Sequence, residues 1–212
     1  TNMENPVIIL GANSIGAVAL DIFKRNNVIV YGFLDDNKAL HDTQIDDIPV
    51  LGATDDETFT TLLGKKCEAF VAMDEQKVRK NLVEMLNEDR KVQPVNALHD
   101  SSIIADTAAI GHGNLFAAGS IINPNATVGN HNILHSRVVI DSNATIGDYV
   151  QIGAGSTIGA GAVIEDNAFI GTGVTIVGGV KIGKGARVGA GSVVIEAVKA
   201  RETVFGNPAK KV

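Results

Sequence analysis

The sequence predicts a small Rossmann-like α/β domain followed by a left-handed parallel β-helix. Three observations carry this. A six-residue repeat runs without a slip through the C-terminal half, strand and helix signals alternate in front of it, and 23 glycines stand against only 4% aromatics in 212 residues. Boundaries follow at residues 1–97 for the α/β domain and 98–212 for the β-helix with its cap.

The repeat is read by taking every sixth residue from Ile104 to Val194, which gives sixteen positions, all aliphatic except Phe116. The next position is often glycine, as at Gly111, Gly129, Gly147, Gly153 and Gly171, and the fifth is nearly always Ala, Ser or Val. Unbroken periodicity of this kind marks a solenoid, whereas strands of a sandwich drift in spacing from turn to turn. Each hexad makes one short strand and one turn, and three hexads close a triangular coil. The recurring aliphatic points inward and stacks on its counterparts eighteen residues before and after, while glycine permits the tight corner. The open end of such a stack needs covering, and residues 200–212 are the expected cap.

The first ninety residues read differently. The apolar run 7–10 leads into Gly11-Ala12-Asn13-Ser14-Ile15-Gly16 and then a helical pattern over 17–25. A second strand over 28–33 ends at Asp35-Asp36-Asn37, and a third over 69–73 precedes Asp74, a suitable N-cap for a helix with Val78, Leu82 and Leu86 on one face. Alternating strands and helices imply a parallel sheet. A glycine turn opening a helix offers backbone N–H groups to an anion, but the same glycines equally serve a tight strand-to-helix turn. Asp35 and Asp36 lie at the sheet edge where ligands of such folds bind, or they form a solvated turn.

Composition excludes other classes. A net charge of −6 argues against a nucleic-acid binder, no apolar run reaches the ~18 residues of a membrane span, and no secretory signal pattern opens the sequence. One cysteine, Cys67, leaves no internal disulfide framework and suits a reducing, cytoplasmic setting.

Taken together, the segments Ile8-Ile9-Leu10-Gly11-Ala12, Gly32-Phe33-Leu34-Asp35-Asp36-Asn37, Ile48-Pro49-Val50-Leu51-Gly52 and Gly206-Asn207-Pro208-Ala209-Lys210 in this order around the hexads resemble the sialic acid O-acetyltransferase and bacillosamine N-acetyltransferase family. The resemblance covers essentially the whole chain. It implies a homotrimer, acetyl-CoA as acetyl donor with no metal, and an amino or hydroxyl group on a sugar as acceptor in surface glycan synthesis. It further implies that Asn13, Ser14, Ile15, Asp35 and Asp36 surround a UDP-sugar, and that Gln151, Thr172 and Ala190 lie near acetyl-CoA.

Acetyl transfer needs a group that takes the acceptor's proton and donors for the developing oxyanion. Histidine suits the first task. Where the family carries its histidine between two acids, this sequence reads Asp141-Ser142-Asn143, and a serine hydroxyl is no general base near neutral pH. Two further family histidines correspond to Gln151 and Ile15. His135, seven residues before Ser142, is the compensating candidate, or else a polar corner residue. His112 and His131 begin one coil apart and read as exposed turn residues rather than metal ligands, since zinc wants several ligands converging at ~2 Å. Lys210 and Lys211 fit either the phosphates of CoA or a solvated terminus. The sequence thus predicts an acetyl-CoA-dependent sugar acetyltransferase with Asp141, Ser142 and His135 at its centre, or a degenerate relative that binds ligand without transferring acetyl.

Overall fold

A computed structural model describes residues 5–212. They form two compact units that divide between Asp100 and Ser101.

The first unit is built on β1 (Val7–Leu10), α1 (Ser14–Arg25), β2 (Val30–Leu34), β3 (Gln44–Ile45), β4 (Ile48–Gly52), α2 (Glu57–Thr60), β5 (Glu68–Val71) and α3 (Gln76–Asp89). The sheet order is β3-β4-β2-β1-β5, parallel except for the β3–β4 hairpin. β1 lies inside the sheet between β2 and β5 and is buried at every residue, so it reads as a continuous apolar run, as a strand covered on both faces must. Asn13, not a glycine, caps α1 by accepting the N–H of Gly16 at 3.0 Å. The helix after β5 departs from expectation. It starts at Gln76 behind Glu75, not behind Asp74, and it buries Arg79, Val83 and Leu86 rather than Val78 and Leu82. The long Arg79 side chain is taken inward because its guanidinium donates to the carbonyls of Met73 and Asp74 at 2.7 and 3.2 Å.

The second unit is the left-handed parallel β-helix. Two-residue strands pass in rotation through three parallel sheets, each strand pairing with those eighteen residues away, as in Ile121–Val139–Thr157. The first face carries the strands from Ile103–Ile104 to Val193–Val194, the second those from Ala109–Ile110 to Lys181–Ile182, and the third those from Leu115–Phe116 to Arg187–Val188. The inward hexad residues from Phe116 onward are at most 2% exposed. The tail extends the third sheet: Thr203–Gly206 pairs in parallel with the strand at Arg187–Val188 and turns back antiparallel through Ala209–Lys211.

Two exceptions at the fifth hexad position explain themselves. Asn114 and Asn132 are fully buried where other coils place Ala, Ser or Val. Asn132 accepts the N–H of Val150 at 2.7 Å, donates to the carbonyl of Gly147 at 2.8 Å, and gives its own N–H to Asn114. Side-chain amides here replace backbone partners that the corner geometry leaves without one, as buried polar groups require.

Candidate functional site

In the α/β unit the glycine turn is held by close backbone approaches. A Cβ on Gly16 would stand 2.0 Å from the carbonyl oxygen of Gly11, and one on Gly11, where φ is +123°, would stand 2.6 Å from that of Ala72. Both glycines are therefore required sterically, whatever the turn binds. Asp35 reaches this turn: its carboxylate accepts the N–H of Ala12 at 2.8 Å and that of Asn37 at 2.8 Å. Asp36 accepts both the N–H and the hydroxyl of Thr54, at 2.9 and 2.8 Å. Asn13 donates to the carbonyl of Ala72 at 2.9 Å, and so ties the turn to the end of β5. The structure thus gathers Asn13 and Asp35 at one sheet edge, with Asp36 fastened to the loop after β4. Ser14 is exposed on the first turn of α1. Ile15 is 5% exposed and belongs to the core, so its side chain is not presented at that edge. Thr54 and His41, whose ring Nε2 lies 2.7 Å from the carbonyl of Asp35, complete the network. Neither carries a sequence signal of its own.

In the β-helix the predicted residues fall on two edges. The edge from the third face to the first carries His135, Gly153, Gly171 and Gly189 in one column and Thr172 and Ala190 in the next. At its lower end the amide nitrogen of Gln151, 6% exposed, lies 3.2 Å from Nε2 of His135. The edge from the first face to the second carries Asp141 and Ser142. Asp141 accepts the backbone N–H of Ser142 at 2.7 Å and the side-chain amide of Asn123 at 3.0 Å, with the Ser142 hydroxyl at 3.5 Å. The Ser142 N–H first, then Asn123, hold its carboxyl below the usual range. Asn123 escaped the sequence reading, although it stands one coil before Asp141 and is findable by the same spacing.

Within one chain, then, His135 joins Gln151 and the Thr172–Ala190 edge, whereas Asp141 and Ser142 occupy the neighbouring edge across the first face. On that second edge Val177 and Ile195 stand 42% and 49% exposed. They share coils with Thr172 and Ala190 on the first edge. Lys210 is exposed on the terminal hairpin, and Lys211 pairs with Glu202 at 3.0 Å.

The remaining histidines differ from expectation in one respect. His131 is not an exposed turn residue. It is 5% exposed and stacks on Tyr149 with ring centroids 5.1 Å apart, in space that a Cβ on Gly113 would fill. Among the described residues, no group of three or more His, Cys, Asp or Glu side chains is placed to hold a metal, and no helix is long and apolar enough to cross a membrane.

The PglD N-terminal domain model matches residues 6–86, and the bacterial transferase hexapeptide model matches residues 125–160 and 161–196. The chain thus carries a PglD-type N-terminal domain followed by bacterial transferase hexapeptide repeats. No curated protein matches it. Among solved structures it is similar to PerB from Caulobacter crescentus, in complex with CoA and GDP-perosamine, at 26% identity, a TM-score of 0.89 and coverage of 98% and 97% of the two chains. WeeI from Acinetobacter baumannii is 28% identical with a TM-score of 0.87, covering 98% and 99%. The acetyltransferase domain of PglB from Neisseria gonorrhoeae, in complex with acetyl coenzyme A, shares the fold at 20% identity and a TM-score of 0.89, covering 99% and 100%.

Proposed function

We propose that this protein is an acetyl-CoA-dependent acetyltransferase acting on a nucleotide-linked amino sugar. The carrying observation is the full-length similarity to PerB, whose complex holds CoA and GDP-perosamine. Both parts that such a reaction requires have counterparts in this chain. The sheet edge with Asn13, Ser14, Asp35 and Asp36 takes the nucleotide, the turn and the start of α1 presenting N–H groups to phosphate. Asp35 is an acceptor and suits ribose hydroxyls or base N–H groups rather than phosphate.

The catalytic end needs a second copy. The first face of the prism presents Ile103, Ile121, Val139, Thr157, Thr175 and Val193 outward, with no charge among them, while the other two carry Lys181 and Arg187. A charge-free, β-branched face of this kind suits burial against copies of itself, and a trimer with the first faces toward its axis follows. Neighbouring copies then meet where the two edges flanking that face come together. Thr172 and Ala190 of one copy would stand across from Val177 and Ile195 of the next, an apolar cleft suited to the pantetheine arm, with Gln151 near the thioester and Lys210 toward the CoA phosphates. A reducing cytoplasm, where acetyl-CoA is made, is the fitting compartment.

A second reading has its own observation. Ser142 and Gln151 stand where histidines are expected, and a degenerate member would bind CoA without turnover. Thiol release from acetyl-CoA in the presence of GDP- and UDP-linked amino sugars, run beside calorimetric CoA binding, separates the two. Acceptor-dependent release supports transfer, CoA binding without release supports degeneracy, and neither binding nor release contradicts both.

A further inference from the structure

Resting on the acetyl-transfer reading, we infer that the proton acceptor is His135 acting across the boundary between two copies, opposite Asp141 and Ser142 of the next copy. Three observations lead there. His135 and Ser142 lie on different edges of one prism, separated by the whole width of the first face, so one chain does not assemble them. They nonetheless share a coil, since the strands Ile133–Leu134 and Val139–Ile140 that precede them are consecutive. A three-fold axis parallel to the prism preserves height, and one hexad climbs only a third of the ~4.8 Å strand spacing. Copies packed by the charge-free first face therefore bring His135 of one level with Asp141 and Ser142 of the next.

The division of labour follows from the groups present. Asp141, held as an anion by the Ser142 N–H and Asn123, attracts and orients an ammonium or amine on the acceptor. Ser142 opens space where a larger ring would stand and offers a hydroxyl. His135 is fixed by Gln151. The amide orients the ring, and the tautomer decides which ring nitrogen carries the lone pair. As the amine nitrogen attacks the thioester carbonyl, the C–N bond forms and its proton passes to His135. The tetrahedral intermediate then collapses, the C–S bond breaks, and the imidazolium returns the proton to the CoA sulfur. Amide and free thiol are the products, and no other reactant is needed. Gln151 is a positioning residue in this scheme.

The test is complementation between variants. His135→Ala and Ser142→Trp chains, carrying different affinity tags, are co-expressed, and mixed trimers are isolated through both tags. Each variant alone is expected to lose about 10²-fold or more in kcat/KM, the ordinary worth of a general base. A ring of three chains of two kinds contains one junction with both partners intact, so mixed trimers should recover about a third of the wild-type rate. Recovery of that size supports the inference. Mixed trimers no more active than the two variants overturn it, because a site made within one chain cannot complement. His135→Gln keeps a polar side chain at the corner, and if it or His135→Ala turns over like wild type, with the same pH profile, the histidine assignment fails while the acetyl-transfer reading stands. Absence of turnover in the wild type overturns that reading itself.

Discussion

At the scale of single residues, charge and steric fit make separate predictions. Asp141 is held as an anion mainly by the backbone N–H of Ser142. A carboxyl whose folded pKa lies below its unfolded one adds stability above the unfolded value, about 3.9, and loses it as pH falls through the lower folded value. Wild type should therefore melt above Asp141→Asn at pH 7, with the gap steady to about pH 5 and closing below about pH 4. A gap unchanged across that range would show that the carboxylate is not held this way. Gly16 makes the steric case. With Gly11 O only 2.0 Å from the place of its missing Cβ, Gly16→Ala should destabilise the α/β unit by about 1–3 kcal/mol, as overpacking does, and weaken nucleotide-sugar binding while leaving CoA binding intact. Thermal melting and calorimetry read both effects.

At the scale of elements, the hexad register was plain in the sequence because each coil repeats the same inward aliphatic, and the β-helix followed from that spacing, whereas alternation of strand and helix signals gave the parallel strands of the α/β unit but not the β3–β4 hairpin. The helix start after β5 was not, because Arg79 finds backbone carbonyls to bond inside the fold, and no pattern of apolar residues announces that. Asn114 and Asn132 were equally hidden, since a polar residue at a core position breaks the pattern and only the geometry shows what it bonds. Asn132→Val tests this. Valine fits the fifth position at Val138 and Val150, both fully buried, but at 132 it strands the N–H of Val150 and the carbonyl of Gly147. Each buried orphan costs roughly 1–3 kcal/mol, so urea unfolding should show a clear loss, and a neutral substitution would contradict the role given to the side chain. Of the candidate site, Asn13, Asp35, Asp36, His135, Asp141 and Ser142 could be named from the sequence, but neither their partners Thr54, His41 and Asn123 nor their arrangement. His135 and Ser142 are close in sequence, and only the assignment of their strands to different sheets sets them on separate edges.

At the scale of the whole molecule, one unit holds a glycine turn with a carboxylate partner and the other a prism with two dissimilar edges, and the proposed reaction assigns the nucleotide to the first and CoA to the second. The absence of a histidine at Ser142 does not by itself remove acetyl transfer, because an amine needs less help than a hydroxyl to attack a thioester and His135 remains on the same coil. Light scattering should give three times the chain mass of 22.1 kDa, and a charge placed on the first face, such as Thr157→Glu, should lower that mass and activity together. The most direct measurement is mass spectrometry of GDP- and UDP-linked amino sugars after incubation with the protein and acetyl-CoA. One acetyl group on the sugar nitrogen of at least one acceptor, formed only with protein present, is the predicted result; unmodified acceptors and intact acetyl-CoA throughout would contradict the account.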